Sequence, residues 1–170
     1  HLFALPAEQV QVLVHRQSVV HSMVEFADGS MLAQLGPPDM TYPIHYALHY
    51  PNRPSSHLPG FDAKLFAKLT FEEPDTQRFP ALTLGWRAAK LGGASGAVLN
   101  AADEIAVEAF LQQQIRFPDI YALCANALEQ MPDLQANTIE QVQAADQWAR
   151  QFTSTSIEKQ IQAASGVSKS

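Results

Sequence analysis

Hydrophobic and polar residues alternate along the first third of the chain, as they do in β-strands. Residues 10–15, VQVLVH, alternate and are rich in β-branched side chains, which predicts a strand. The alternation continues on both sides of Asp28-Gly29, a pair that favours a two-residue type I′ turn. The register of such a hairpin would pair Phe26 with Met31, Val24 with Ala33 and Ser22 with Leu35.

The two faces of the predicted hairpin differ in polarity. One face is mostly apolar and is expected to pack on a core. It holds Ser22, Val24, Phe26, Met31, Ala33 and Leu35. The other face is too polar for a core and too apolar for plain solvent, which is typical of an interface or the wall of a binding site. It holds His21, Met23, Glu25, Leu32 and Gln34.

A break in the pattern separates the hairpin from the rest of the chain. Residues 42–50, YPIHYALHY, predict a short helix with Pro43 in its first turn. Residues 51–79 then contain only one short strand candidate, AKLTFEE at 67–73, among several proline and glycine residues. We interpret residues 51–79 as a linker between two domains.

Helical periodicity follows the linker. We expect helices from Pro80 to Gly92-Gly93, from about Val98 to Gln114, from Ile120 to Met131, and from Thr138, whose capping-box partner is Gln141. Short loops between them predict an antiparallel four-helix bundle over residues 80–170, with the last residues, AASGVSKS, fraying. The fold class is therefore α+β: a β-hairpin or partial sheet with a short helix, then a linker and the bundle.

Each predicted helix has an apolar stripe that should face the core. The stripes are Leu82, Trp86 and Ala89; Ala102, Ile105, Ala106, Ala109 and Phe110; Ile120, Leu123, Cys124, Ala127, Leu128 and Met131; and Val142, Ala145, Trp148, Ala149 and Phe152.

Composition and charge exclude several classes of protein. The chain has 170 residues, 46% of them hydrophobic, which suffices for a buried core. A net charge of -6, a pI near 5.4 and scattered basic residues argue against a nucleic-acid partner. No apolar stretch could cross a bilayer, no signal peptide is recognisable, and a single cysteine cannot form an internal disulfide. We expect a soluble cytoplasmic protein whose upstream part is missing, since the sequence opens on His1.

Two single residues and one pair could be catalytic or metal-binding, but a structural role is favoured for each. Cys124 lies in an apolar stripe, which favours a buried, inert thiol over a nucleophile. His45 and His49 have the i, i+4 spacing of a metal-chelating pair, but without a nearby third ligand a packing or solvated role is favoured. His15 is expected to be a hydrogen-bonded, half-buried histidine.

Two residues of the hairpin remain open to either interpretation. His21 lies on the mixed face beside Gln34, where its imidazole could bind a polar ligand or serve the fold. The Ser18 hydroxyl could bind an anion or end the strand. LGGASG at 91–96 lacks the spacing of a phosphate loop, and neither a metal-binding carboxylate pair nor a Ser-His-Asp arrangement is evident. The residues alone thus indicate a site wall without a reaction centre.

Several long sequence motifs resemble those of a known protein family. HRQSVVHSMVEFADGSMLAQLGPPDM, PIHYAL, LTFEEPD, RFPAL and LNAADEIAVEAFL occur in this order between about Val10 and Met131. They closely resemble the C-terminal part of the 1-deoxy-D-xylulose 5-phosphate reductoisomerases. Arg16 stands where the family usually has proline, which removes a backbone constraint near Ser18, and Asp103 stands where asparagine is commoner.

The resemblance implies a domain organisation and site residues. Residues 1–50 would be the end of the catalytic and dimerisation domain, 51–79 the linker and 80–170 the helical bundle. Ser18 and His21 resemble the family's serine and histidine beside the substrate phosphate, and Pro38 and Met40 its pocket-lining loop. The family's nucleotide-binding domain, metal-binding acidic motif and flap lie upstream of this region.

The resemblance also implies a function for the longer protein. It would convert 1-deoxy-D-xylulose 5-phosphate, a sugar phosphate, to 2-C-methyl-D-erythritol 4-phosphate in isoprenoid biosynthesis. NADPH and Mg²⁺ or Mn²⁺ would serve as cofactors of a homodimer. The 170 residues alone are expected to bind neither cofactor and to be inactive. The alternative is an independent dimerisation or interaction module without a ligand.

Overall fold

A computed structural model of the protein describes residues 5–60 and 62–167. These residues contain six α-helices, one 3-10 turn at Ala7–Gln9 and a two-stranded antiparallel sheet, so the fold is α+β, as predicted. They form two compact units. Gln11–Pro74 make up the first, and the described residues on either side of that range make up the second. None of the helices in the described part of the chain is long and apolar enough to cross a membrane.

The first unit contains a hairpin and two short helices. Its strands are β1 (Val20–Glu25) and β2 (Met31–Leu35), followed by α1 (Thr41–His49) and α2 (Ala63–Phe66). The predicted short helix is confirmed with its ends shifted by one residue. The sequence did not predict α2, which begins because the Asp62 carboxylate accepts a hydrogen bond from the Lys64 amide at 2.8 Å.

The hairpin turn differs from the predicted two-residue turn. Residues 27–29 form a three-residue loop, closed by a 2.9 Å hydrogen bond from the Phe26 amide to the Ser30 carbonyl. Within this loop only Gly29 has a positive φ, 81°, whereas a type I′ turn needs two such residues. The Asp28 carboxylate instead accepts hydrogen bonds from the amide and hydroxyl of Ser30. The longer loop shifts the strands by one residue.

The predicted pairs and the predicted core face of the hairpin are therefore wrong. The observed pairs are Glu25–Met31, Val24–Leu32, Met23–Ala33 and Ser22–Gln34. Both faces of the hairpin also remain accessible: Val24 is 54% exposed and its partner Leu32 64% exposed. Met31, on the opposite face, is 61% exposed.

The two other predicted strands are reduced to a single bridge. Val14 and Glu72 exchange backbone hydrogen bonds of 2.9 and 3.0 Å, but their neighbours do not extend the ladder. The alternating pattern of residues 10–15 and the candidate at 67–73 therefore predicted more strand than forms. Alternation shows which side chains share a face, but a strand also needs a partner along its length.

The second unit is built from four helices. They are α3 (Ala81–Leu91), α4 (Ser95–Leu111), α5 (Phe117–Gln130) and α6 (Ile139–Val167). The four predicted helices are confirmed, and Gly92 and Gly93, with φ of 66° and 53°, end α3 as expected. Helix α6 continues through Val167, and residues 168–170 lie outside the described residues, so the fraying of the last residues stays a prediction.

Alanine dominates the core of the helical unit. Ala101, Ala102, Ala106, Ala127, Ala145 and Ala149 are fully buried, together with Val98. Leu84, Ala88, Leu123, Cys124, Leu128 and Ile157 are almost fully buried. Small side chains let α4, the helix most in contact with the others, approach both α5 and α6 closely. The antiparallel bundle stays a prediction.

Two residues of the predicted stripes are not in the core. Ala89 is exposed because Leu84 and Ala88 form the buried stripe of α3. Val142 is 38% exposed in the first turn of α6, before that helix reaches the core. The predicted cap of α6 forms in part: the Gln141 amide donates to the Thr138 hydroxyl at 3.3 Å, while the Gln141 side chain accepts from the amide of Asn137 rather than that of Thr138.

Candidate functional site

A cavity of about 910 Å³ lies in the first unit. Its walls come from the start of β1, the end of β2, the loop before α1, α1 itself and residues 53–58. The four predicted site residues all line it: Ser18, His21, Pro38 and Met40. The fold thus brings together residues that are more than twenty positions apart in sequence.

A β-bulge places His21 in the cavity wall. The ladder pairs the residues on either side of His21 with consecutive residues of β2, so His21 is the extra residue of β1. Its Nε2 atom lies 3.8 Å from the position that a Cβ on Gly36 would occupy, and the Gln34 Nε2 atom lies 3.9 Å from the same position. Both polar side chains therefore lie close to Gly36, a placement that the predicted register, which lacked the bulge, did not include.

Ser18 has an unusual backbone conformation. Its φ of 51° lies in the left-handed region, which is uncommon for a serine. Its amide donates to the His15 carbonyl at 3.1 Å. The next residue, Val19, is fully buried, and its carbonyl accepts from the Gly36 amide at 2.9 Å. Ser18 is therefore an exposed residue, held on one side by the hydrogen bond to His15 and on the other by buried Val19.

The loop before α1 provides an apolar wall. Pro38 fixes its own φ, and Met40 is 70% exposed beside it. Between them, the Asp39 carboxylate accepts hydrogen bonds from the hydroxyl and amide of Thr41 at 2.7 and 2.8 Å, which lower the pKa of Asp39. Because this carboxylate is engaged at the start of α1, the loop presents mainly apolar surface to the cavity.

One face of α1 completes the cavity and was missed from the sequence. Tyr42, His45 and Tyr46 line it, and their i, i+3, i+4 spacing is the signal that could have identified them. The Tyr42 hydroxyl donates to the Pro59 carbonyl at 2.6 Å, which ties α1 to the following segment. The Arg53 guanidinium carbon lies 3.9 Å from the centre of the Tyr46 ring, a cation–π contact at the cavity wall.

Cys124 and His15 have the structural roles favoured for them, whereas His45 also lines the cavity. Cys124 is 2% exposed, and burial raises the pKa of its thiol to about 12, so it stays protonated and unreactive. The His15 ring is half-buried, and its Nδ1 atom hydrogen-bonds to the Thr70 carbonyl at 2.7 Å. The rings of His45 and His49 are 4.4 Å apart, with His49 Nδ1 bound to the His45 carbonyl.

Neither a metal site nor a nucleotide cradle is formed by the residues that the structure describes. They contain no group of three or more histidine, cysteine, aspartate or glutamate residues placed to hold a metal ion. The glycine-rich residues 91–96 connect α3 to α4 rather than follow a strand. The cavity offers hydroxyl, imidazole, amide and guanidinium groups with an apolar wall, a set that suits a small polar or anionic ligand. The Asp39 carboxylate also lines it, but is already hydrogen-bonded to Thr41.

Comparison with known proteins identifies the relatives of the chain. A family model described as the DXP reductoisomerase C-terminal domain matches residues 35–152. The 1-deoxy-D-xylulose 5-phosphate reductoisomerase of Cupriavidus pinatubonensis is 53% identical over 150 residues, which cover 88% of this chain and 38% of that protein. The enzyme of the same name from Cupriavidus metallidurans is 54% identical over 149 residues, with the same coverage of 88% and 38%.

Solved structures give the same result. The 1-deoxy-D-xylulose 5-phosphate reductoisomerase from Zymomonas mobilis, in complex with NADPH, has a TM-score of 0.88 and 45% identity, covering 93% of this chain and 42% of that one. A DOX-P reductoisomerase solved with fosmidomycin and magnesium has a TM-score of 0.87 and 39% identity, covering 95% and 42%. The chain spans about two-fifths of the length of the relatives it matches.

Proposed function

The chain belongs to the 1-deoxy-D-xylulose 5-phosphate reductoisomerase family, and on this premise we propose that it forms one wall of the substrate cavity of a longer enzyme. That enzyme would convert 1-deoxy-D-xylulose 5-phosphate to 2-C-methyl-D-erythritol 4-phosphate with NADPH, in isoprenoid biosynthesis. One observation carries the proposal: the four residues singled out by the family resemblance, Ser18, His21, Pro38 and Met40, line a single cavity.

The two sides of this cavity suit the two ends of a sugar phosphate. The Ser18 hydroxyl and the His21 imidazole can donate hydrogen bonds to phosphate or sugar oxygens. Pro38 and Met40 form an apolar wall that excludes water and limits the positions that the carbon chain can take. In the proposal, these four residues bind and orient the substrate, and no bond is broken by a group of this chain.

We assign the cofactors to the remainder of the longer enzyme. The described residues do not fit a divalent metal or NADPH, because they lack both a ligand cluster and a glycine-rich phosphate loop. Relatives have been solved with NADPH and with magnesium. The 170-residue chain by itself is accordingly proposed to be inactive and to bind neither group.

The architecture and the oligomeric state belong to the same proposal. Residues 1–50 would end the catalytic and dimerisation domain, 51–79 would be the linker, and 80–170 an antiparallel four-helix bundle. The accessible apolar side chains of the hairpin support this division, since Val24, Met31 and Leu32 need a covering surface. The rest of the catalytic domain would cover them in a cytoplasmic homodimer.

The test compares the longer protein with the 170-residue chain. NADPH oxidation is measured with the sugar phosphate and Mg²⁺, and only the longer protein should be active. Ser18→Ala or His21→Ala should raise KM roughly tenfold, since a hydrogen bond to a charged group contributes about 1.5 kcal/mol. Ser154→Ala, a half-buried serine of α6 that does not line the cavity, is the matched control. An unchanged KM in both cavity variants would contradict the assignment.

The accessible hairpin also favours a second candidate, an independent dimerisation module without a ligand. Met31 is 61% and Leu32 64% exposed, which is characteristic of a protein interface. This module would dimerise as the isolated chain, and light scattering would show a dimer that Leu32→Lys dissociates. Activity of the longer protein that depends on Ser18 would favour the reductoisomerase instead.

A further inference from the structure

Residues 70–72 bind back onto the segment that leads to Ser18. Val14 and Glu72 exchange two backbone hydrogen bonds, of 2.9 and 3.0 Å. The Thr70 carbonyl can only accept, so the 2.7 Å contact requires a proton on Nδ1 of His15. The same His15 ring stacks on Phe71, with the ring centres 4.7 Å apart. We call residues 14–17 together with residues 70–72 the clasp.

Two side-chain pairs extend the clasp toward Ser18. The Gln17 amide nitrogen donates to the Thr70 hydroxyl at 2.9 Å, and the Gln17 carbonyl oxygen lies 3.3 Å from the Thr70 amide and 3.0 Å from its hydroxyl. One position earlier, Arg16 makes hydrogen bonds of 2.8 and 3.0 Å to the Glu72 carboxylate.

Burial decides which of these pairs matters more. The side chains of Arg16 and Glu72 are 72% and 48% exposed, so water and salt screen their attraction. Gln17 and Thr70 are half-buried, and an amide left there without a partner would lose its hydrogen bonds to water as well. The Gln17–Thr70 pair is therefore the stronger restraint on the chain immediately before Ser18.

Ser18 needs such a restraint. A left-handed conformation costs a residue other than glycine about 1–2 kcal/mol and persists only where its surroundings impose it. Buried Val19 fixes the chain after Ser18, and the clasp fixes the chain before it. Without the clasp, nothing before Ser18 would hold its φ at a positive value, and Ser18 would leave its place in the cavity wall.

We propose that Gln17 and Thr70 are positioning residues, which hold Ser18 in its left-handed conformation so that its hydroxyl faces the substrate. The inference rests on the proposed function, because it gives the Ser18 hydroxyl a ligand. The inference also gives residues 70–72 a role in shaping the cavity, although these residues do not line the cavity.

The experiment is a double-mutant cycle in the longer enzyme. Thr70→Val removes the hydroxyl at nearly constant shape and should raise KM for the sugar phosphate about fivefold, with a smaller effect on kcat. Thr70→Ser, which retains the hydroxyl, should restore KM. In a Ser18→Ala background, Thr70→Val should change KM less than twofold, because the residue it positions is gone.

The controls separate positioning from stability. Thr83→Val removes a comparable hydroxyl, which donates to the Pro80 carbonyl at 2.6 Å in the other unit, and should leave KM unchanged. Gln17→Ala tests the pair from its other side if Thr70→Val fails to fold. The proposal is overturned if Thr70→Val lowers only the unfolding temperature, or if its effect on KM simply multiplies with that of Ser18→Ala.

A second readout does not depend on activity. The nuclear Overhauser effect between the amide and Cα protons of Ser18 is strong at a positive φ, where the two protons lie close together, and weaker at a negative φ. It is measured by NMR on the 170-residue chain with and without Thr70→Val. A weaker effect in the variant supports the clasp even if the longer protein proves inactive, in which case the proposed function alone fails. An unchanged effect shows that Ser18 keeps its conformation unaided and overturns the inference.

Discussion

Arg150 on α6 makes an ion pair with Glu104 on α4, with 2.5 Å between Nη2 and Oε2. The same guanidinium donates to the Asp146 carboxylate at 2.7 Å, and hydrogen bonding to Arg150 lowers the pKa of Glu104. Both partners of the pair are partly exposed, so solvent screens the attraction. The close approach of α4 and α6 must therefore depend mainly on the buried alanines beneath it.

Enlarging one of these alanines should destabilise the helical unit. Ala149 is fully buried, so Ala149→Leu adds three carbons where no space exists and should cost about 1–3 kcal/mol of unfolding free energy. Urea unfolding followed by circular dichroism measures the loss. Gln147→Leu, at an exposed position of the same helix, should change it by less than about 0.5 kcal/mol. Equal losses in the two variants would contradict this description of the core.

Two glycine-to-alanine substitutions should have opposite effects. Gly29 has a φ of 81°, so Gly29→Ala strains the hairpin loop by about 1–2 kcal/mol although no atom obstructs the new Cβ. Gly85 lies within α3, also with open space around it, and Gly85→Ala should stabilise that helix by about 0.5–1 kcal/mol. Faster hydrogen exchange at the Phe26 amide in the first variant and a higher unfolding temperature in the second would bear this out. A protective effect of Gly29→Ala would refute the loop conformation.

Acid should weaken the start of α5. The Asp119 carboxylate accepts from the Arg116 amide at 2.8 Å and from its side chain, and this hydrogen bonding lowers the pKa of Asp119 below its ordinary value. A lowered folded-state pKa means that the stabilisation is complete above about pH 3.8 and is lost as the pH falls through the lowered value.

Asp119→Asn should therefore cost roughly 1 kcal/mol of unfolding free energy at pH 7 and less at pH 3. Unfolding curves at the two pH values measure the difference. Asp133→Asn, in the loop after α5, serves as the control and should show a smaller dependence on pH. A cost for Asp119→Asn that does not change with pH would exclude the ionised carboxylate as its cause.

The thiol of Cys124 should react only when the helical unit unfolds. Its pKa of about 12 leaves almost no thiolate at pH 8, and the side chain is 2% exposed. Because the chain has a single cysteine, a thiol reagent reports on this site alone. Labelling should be slow in native buffer and complete in guanidinium chloride. Rapid labelling of the native protein would mean that the core opens readily.

The helices of the second unit are the elements that were predicted most accurately from the sequence. The residues of the α5 stripe, from Ile120 to Met131, are buried or half-buried, and Gly92-Gly93 ends α3 as expected. These features were predictable because helix periodicity, glycine at a helix end and capping side chains act within a few residues of each other. The sequence motifs around Ser18 and Met40 were likewise sufficient to recognise the resemblance to the family.

The hairpin shows where prediction from sequence fails. Asp28-Gly29 located the turn, but its type depended on whether one or two residues adopt a positive φ, and the difference shifts every pair of the ladder. The strand predicted at 10–15 needed a neighbouring strand to pair with, and only Val14 forms such a pair, with Glu72. A local pattern contains no information about that partner.

The sequence by itself determined the helices of the second unit and the location of the turn, and its family resemblance predicted four site residues, which line one cavity. Only the tertiary structure decided the register of the hairpin, the bulge at His21, the part that α1 and Arg53 play in the cavity, and the clasp between Gln17 and Thr70. The physical reason is the separation along the sequence over which each interaction acts. Helix periodicity and capping act between residues that are close in sequence, whereas a cavity and a clasp join residues separated by 20 to 50 positions, whose meeting depends on the folded chain as a whole.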